Sequence, residues 1–234
     1  MDFQYASYTD IGRRSNNEDS LGIQYVDNSL IAVVADGLGG HANGEIASKL
    51  AVDALFDYIG KKEIDEDELL YAILNASDVI CKADISGHTT IAALWLEDNH
   101  AVAAHVGDSR VYQFRDSKII FQSVDHSVVQ MAVLIGELEP DALRHHKDRN
   151  KVFRVLGEDG EKTKIDSTEL NIKPGDRFLL CSDGFWEPVL EEDMIRTIAE
   201  TDSCEHWLNA MKCIIEHVHN PKQDNNTAIC IMAK

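Results

Sequence analysis

The 234-residue chain lacks a cysteine framework: Cys81, Cys181, Cys204, Cys213 and Cys230 include no Cys-x-x-Cys pair and no regular spacing. That argues against a disulfide-stapled scaffold or a zinc knuckle and points to a reducing compartment, with the thiols serving as core fillers. The N-terminus, Met-Asp-Phe-Gln-Tyr-Ala-Ser-Tyr, has no basic segment followed by an apolar one, and no later run reaches transmembrane length. A cytoplasmic location without membrane insertion is the expectation. Positive charge is also scarce, because 22 Lys and Arg face 41 Asp and Glu for a net charge of -19. This balance opposes attraction to nucleic-acid phosphates and anionic lipid, so neither is an expected partner. The four prolines are scattered, and no repeat or low-complexity linker marks a boundary. With 44% hydrophobic residues, the chain reads as one domain over residues 1–234, and nothing demands more than a monomer.

Apolar periodicity runs nearly end to end. Strands are predicted near residues 3–8, 20–26 and 30–35, where short β-branched or aromatic runs are bounded by Asp, Asn, Gly or Ser. The period then changes. From Gly44 to Ile59, Ile46, Ala47, Leu50, Ala51, Ala54, Leu55 and Tyr58 share one helical face between Asn43 as N-cap and Gly60 as stop. A second helix over 65–82 would bury Leu69, Leu70, Ile73, Leu74, Ser77, Ile80 and Cys81. Residues 88–124 return to closely spaced strands, which implies antiparallel hairpins. The segment 125–160 combines a short helix with a polar stretch and reads as a flap. Strands flanking Pro174-Gly175, helices near 190–200 and 203–218, and a last strand near 226–232 complete the order. Blocks of strands and helices, rather than strict alternation, favour an α+β fold with helices outside antiparallel sheets.

Three apolar runs end on an aspartate beside a glycine: Leu30-Ile-Ala-Val-Val-Ala-Asp36-Gly37, Ala101-Val-Ala-Ala-His-Val-Gly107-Asp108 and Arg177-Phe-Leu-Leu-Cys-Ser-Asp183-Gly184. Asp224 opens Asp-Asn-Asn-Thr before the last strand. One such aspartate alone is an ordinary turn former. Four at strand ends form an oxygen-donor set suited to hard divalent cations such as Mg2+ or Mn2+. His145-His146 and His217-Val-His219 lack an acid or thiol at ligand spacing and read as surface residues.

Seven segments, in order, resemble a known family: Arg14-Ser-Asn-Asn-Glu-Asp19, Ala35-Asp-Gly-Leu-Gly-Gly-His41, Gly87-His-Thr-Thr90, Val106-Gly-Asp-Ser-Arg110, Asp125-His-Ser127, Cys181-Ser-Asp-Gly-Phe-Trp186 and Asp224-Asn-Asn-Thr227. They resemble the metal-dependent protein serine/threonine phosphatases, the PPM or type 2C class, in its compact bacterial form. The resemblance implies a four-layer α-β-β-α sandwich with two central antiparallel β-sheets. It implies that Asp36 bridges two Mn2+ or Mg2+ ions, that the Gly37 carbonyl ligates one, and that Asp183 and Asp224 complete the pair. Glu18 and Asp19 would hold waters at the metals, and Asp108 with Asp183 would form a weaker third site. Arg14, which keeps the Arg-x-x-Asn-Glu-Asp pattern, would bind phosphate, with Arg13 as the alternative. His41 would act as general acid.

The implied reaction is hydrolysis of phosphoserine and phosphothreonine on proteins, opposing a Ser/Thr kinase, with the kinase or its targets among the partners. Thr89 and Thr90 read as structural, and Arg110 as fixing the Asp108 turn. A non-catalytic phosphoprotein-binding relative would be expected to have lost metal aspartates, and none is lost here. A two-metal nuclease or phosphodiesterase would use similar carboxylates, but the acidic balance opposes it.

Overall fold

The computed structural model describes residues 1–39, 43–59, 66–158 and 163–234, the Glu66 side chain excepted. The architecture follows from strands that are apolar on two faces. In β3 (Ser29–Leu38), Leu30, Ala32 and Val34 pack toward the middle of the molecule, while Ile31, Val33 and Ala35 pack toward helices. Side chains alternate faces along a strand, so a continuous apolar run must be covered on each side. β10 (Arg177–Cys181) and β11 (Asn226–Ala233) repeat the pattern: Phe178, Leu180, Ile229 and Ile231 face inward, and Leu179, Cys181, Ala228 and Cys230 face outward.

Two antiparallel sheets result. One runs β1 (Phe3–Asp10), β11, β10, β7 (Arg110–Arg115), β8 (Lys118–Gln122); the other runs β2 (Asp19–Val26), β3, β5 (Ile91–Glu97), β6 (His100–Val106), β9 (Asp166–Asn171), with β4 (His88–Thr89) paired to the end of β3. Their inner faces enclose the central core. On the outer face of the second sheet lie α1 (Asn43–Ile59) and α2 (Glu66–Lys82). The first sheet is covered by α5 (Glu191–Ala199) and α6 (Cys204–Val218), whose Met194, Trp207 and Met211 reach Phe114 and Leu179. This is the four-layer α-β-β-α sandwich. Edge strands are blunted by polarity, as in β9 (Asp-Ser-Thr-Glu-Leu-Asn), where Leu170 alone is buried.

Local chemistry sets the ends of these elements. Ser127 caps α3 (Val128–Leu134) by accepting the Gln130 N–H, and Ser203 caps α6 by accepting that of His206. Glu191, Glu192 and Asp193 occupy the positive first turn of α5. Asp116 and Ser117 both adopt left-handed backbone in the two-residue β7–β8 turn.

Some expectations need correction. Ile46 is exposed, and α1 instead buries Ala47, Ala51, Val52, Ala54, Leu55 and Ile59. The α2 stripe is rotated toward Ala72 and Ala76, leaving Leu70, Leu74 and Cys81 at its margin. Cys213 is exposed on α6, so core filling describes Cys181, Cys204 and Cys230. The one-turn helix α4 (Asp183–Trp186) was not legible, since four residues carry no period. Gly60 lies outside the described residues.

Leu180 lies fully buried between the sheets, whereas Ile120 on edge strand β8 is exposed. Urea denaturation is expected to show Leu180→Ala losing about 2–5 kcal/mol. Ile120→Ala should change stability by less than about 0.5 kcal/mol.

Candidate metal and phosphate site

The sheet pairing brings the acids to one end of the sandwich. Asp19 opens β2 directly opposite Asp36 near the end of β3. Asp183 follows β10 at the place where Asp224 precedes β11, and Asp108 lies in the link from β6 to β7. Five aspartates from both sheets therefore meet where strands end and backbone is free to turn.

Hydroxyl groups fix this backbone while leaving most carboxylate oxygens unused. The Asp36 N–H donates to Thr90 Oγ1 at 3.1 Å, and its carbonyl accepts from Thr90 N–H and Thr89 Oγ1, each at 2.8 Å. Thr90 Oγ1 also meets Ser109 Oγ at 2.7 Å, tying the β3 end to the Asp108 turn. Ser182 Oγ accepts the Thr227 N–H at 3.0 Å and donates to Asp19 Oδ2 at 2.7 Å, linking the two sheets. Asn225 accepts the Glu18 N–H and donates to the Ile11 and Asn16 carbonyls, each at 2.9 Å, which fastens the Arg14 loop beside Asp224. Gly37 is required by space: a Cβ there would stand 2.1 Å from the Gly44 carbonyl oxygen. Gly184 is similarly constrained, 2.0 Å from that of Asn225.

The Asp108 turn is held by stacked planes. Trp186 Nε1 donates to the Asp108 carbonyl at 2.9 Å, and the Arg110 guanidinium lies 3.5 Å over the Trp186 ring. Arg110 grips Asp125 through two 2.8 Å bonds and also reaches Glu191. Arg110 thus acts on the turn through Trp186, a relay that the sequence reading missed. Glu187, next to Trp186, pairs with Arg149 at 2.6 Å.

The electrostatics are those of a site short of positive charge. Burial, followed by repulsion from Asp19, Asp183, Asp108 and Asp224, drives the Asp36 carboxyl well above its ordinary pKa. Asp183 is raised strongly by burial and then by Asp108, Asp224, Glu187 and Asp19. Burial raises Asp108 to about 7, with Asp125 adding repulsion, and raises Asp19 to about 6 against hydrogen bonds from Ser182 and Thr227. Asp19 Oδ1 is buried with no hydrogen-bond partner. Among the described residues, the direct ion pair to these five aspartates is Arg14 Nη2 to Asp224 Oδ2 at 2.5 Å. Burial opposes the Arg14 charge, but Asp224, Asp183 and Asp36 together raise its pKa. Crowded carboxylates, an orphaned buried oxygen and an all-oxygen donor set fit hard divalent cations.

The Arg13 side chain is exposed and makes no ion pair among the described residues, so Arg14 is the arginine engaged with the acids. His41 lies outside the described residues. His145 and the pair His217 and His219 sit on the surface, as expected; the half-buried His146 accepts the Asp148 N–H. A different cluster went unforeseen: His105, His126 and Asp166 bring possible ligand atoms within 4.8 Å of one another. His126 Nδ1 accepts the Gly107 N–H at 3.1 Å, and its Nε2 lies 3.1 Å from both Asp166 Oδ2 and Arg154 Nη1. His105 stacks on His126 with centroids 4.6 Å apart and donates from Nε2 to the Val124 carbonyl.

Comparisons with known proteins give the family. A family model described as "Protein phosphatase 2C" matches residues 8–215, and the chain belongs to that family. It is 35% identical over 210 residues to the serine/threonine protein phosphatase PstP of Mycobacterium tuberculosis, a match covering 83% of this chain and 38% of that protein. The chain therefore spans well under half the length of that relative. It is 33% identical over 207 residues to the serine/threonine phosphatase stp of Listeria monocytogenes, a match covering 80% of this chain and 79% of the other. The fold superposes on the catalytic domain of PstP in complex with two manganese ions with a TM-score of 0.82 at 27% identity, covering 98% of this chain and 97% of that one.

The raised carboxyl pKa values make a signed prediction for metal-free protein. Asp19 and Asp108 bind protons more tightly when folded, so their contribution to stability is fully present below the unfolded aspartate range and is lost as pH rises through about 6 to 7. In EDTA, Tm is expected to fall between pH 5.5 and pH 8, and Asp108→Asn should flatten the fall. An unchanged slope in that variant would contradict the assignment.

Proposed function

We propose that this chain hydrolyses phosphoserine and phosphothreonine monoesters on proteins in a reaction dependent on Mn2+ or Mg2+. The observation that carries the reading is the convergence of five aspartates whose mutual repulsion is met by the single Arg14 ion pair among the described residues. Asp36, the Gly37 carbonyl, Asp183 and Asp224 would hold two cations. Glu18 and Asp19 would orient water beside them, and Asp108 with Asp183 would offer a third, weaker position. Bound there, the cations would neutralise the phosphate dianion and lower the pKa of the attacking water.

The chain's own groups supply the rest. Arg14 presents a half-exposed guanidinium at the rim, where its fork of donors suits phosphate oxygens. Its bond to Asp224 is an exchangeable contact, since a carboxylate engaged with a cation holds arginine less tightly. His41 would donate a proton to the departing serine or threonine oxygen, worth roughly 10²- to 10⁴-fold in rate. Asp19 receives the Ser182 hydroxyl and so remains oriented toward Asp36. Retention of all these acids favours an enzyme over a non-catalytic binding module.

The same proposal includes a single domain over residues 1–234, a monomer in the cytoplasm, and a phosphorylated protein partner such as a Ser/Thr kinase or its targets. No helix among the described residues is long and apolar enough to cross a membrane.

Phosphate release from a phosphothreonine peptide is expected with Mn2+, lost in EDTA and restored by fresh Mn2+. Asp183→Asn should abolish turnover while its circular dichroism stays that of the folded protein. Full activity in that variant would reject the site. Competition by phosphopeptide but not by an oligonucleotide is expected; the reverse would favour a nuclease.

A further inference from the structure

A cleft of about 680 Å3 opens beside Arg14 and Asp224, walled by the Arg14 loop, the flap, the segment after α4 and the loop from α6 to β11. Its charge runs against that of the whole chain. Arg13, Arg14, Arg144, Arg149 and Lys222 contribute cations, against carboxylates of Glu187 and Asp224, in a protein of net charge -19. Some of these cations are structural. Arg144 donates to the Trp186 carbonyl, to that of Glu187 at 3.0 Å and to Glu191 at 2.6 Å, while Arg149 holds Glu187. These bonds clamp the flap against the segment behind α4 and fix one wall of the cleft. Arg13 and Lys222 differ: each is exposed, and neither pairs with a carboxylate among the described residues.

We propose that this cleft is a specificity subsite for acidic residues flanking the phosphorylated serine or threonine of a protein substrate, with Arg13 and Lys222 as its free cations. The inference rests on the phosphatase reading, because a phosphate held by Arg14 fixes where the rest of the peptide must pass. Arg14 and Asp224 belong both to the aspartate site and to the lining of the cleft. An extended chain advances about 3.3 Å per residue, so the nearest neighbours of the phosphoresidue run along this wall. Elsewhere the acidic surface repels such a peptide, which makes the basic wall a selective landing place. Glu187 is engaged by Arg149, and Asp224 by Arg14 or, in the loaded site, by a cation, so neither acid compensates the two free cations.

The test compares two phosphothreonine peptides of equal length, one flanked by glutamates and one by glutamines, in Mn2+. The acidic peptide is expected to have a roughly three- to tenfold higher kcat/KM, carried by KM, as two exposed ion pairs allow. Raising salt should shrink the ratio. Lys222→Glu and Arg13→Glu should each bring it toward one, and Lys222→Arg should preserve it. A ratio of one in the unmodified protein, or a ratio unmoved by both charge reversals, would overturn the subsite. Hydrolysis of para-nitrophenyl phosphate, which has no flanks, reports on the phosphatase reading separately. If nothing is hydrolysed, anisotropy titrations of the same labelled peptides still decide: tighter binding of the acidic one supports the subsite, and equal binding refutes it.

Discussion

Repulsion among buried carboxylates is the constraint around which one end of this molecule is organised. Asp19, Asp36, Asp108 and Asp183 all carry raised proton affinities because burial and neighbouring acids disfavour their charged forms. A fold does not retain such a cluster for stability, since replacing unpaired buried charge with apolar groups is commonly neutral or favourable. The cost is borne where strands from two sheets stop together, and the rest of the sandwich supplies the packing that offsets it. Apolar strands covered on both faces provide that packing.

Precision at the site comes from neutral groups. Thr89, Thr90, Ser109, Ser182, Thr227 and Asn225 join the loops through hydrogen bonds to backbone or to one another, with the Ser182 bond to Asp19 Oδ2 as the exception, so most carboxylate oxygens keep lone pairs free. Charged and aromatic groups act one layer farther out. Asp125 orients Arg110, Arg110 lies over Trp186, and Trp186 holds the Asp108 carbonyl. The same segment is reached from the flap by Arg144 and Arg149, so the wall of the basic cleft and the Asp108 turn share one scaffold.

Much of this was legible in the sequence because its signals are local. Runs such as Leu30 to Ala35 announce two-sided strands, and aspartate beside glycine at their ends announces a carboxylate next to closely approaching backbone. The antiparallel order then brings those ends together. What could not be read depends on the third dimension. Four residues of α4 show no periodicity, Ile46 faces outward because Val52 and Ile59 define a different helical face, and the Arg110 relay joins residues far apart in the chain. His105 and His126 looked unrelated in sequence and stack in space because β6 and the start of the flap lie side by side. The free cations of the cleft were likewise invisible, since the overall composition is strongly acidic.

If the five-aspartate cluster seats divalent cations, as proposed, counting the bound ions shows it without any substrate. Electron paramagnetic resonance of free Mn2+ during titration into EDTA-treated, dialysed protein at pH 7.5 gives the stoichiometry without reference to any substrate. Two tightly bound ions per chain are expected, with tight binding lost in Asp36→Asn. Absence of tight binding in the unmodified protein, or full retention in that variant, would contradict it.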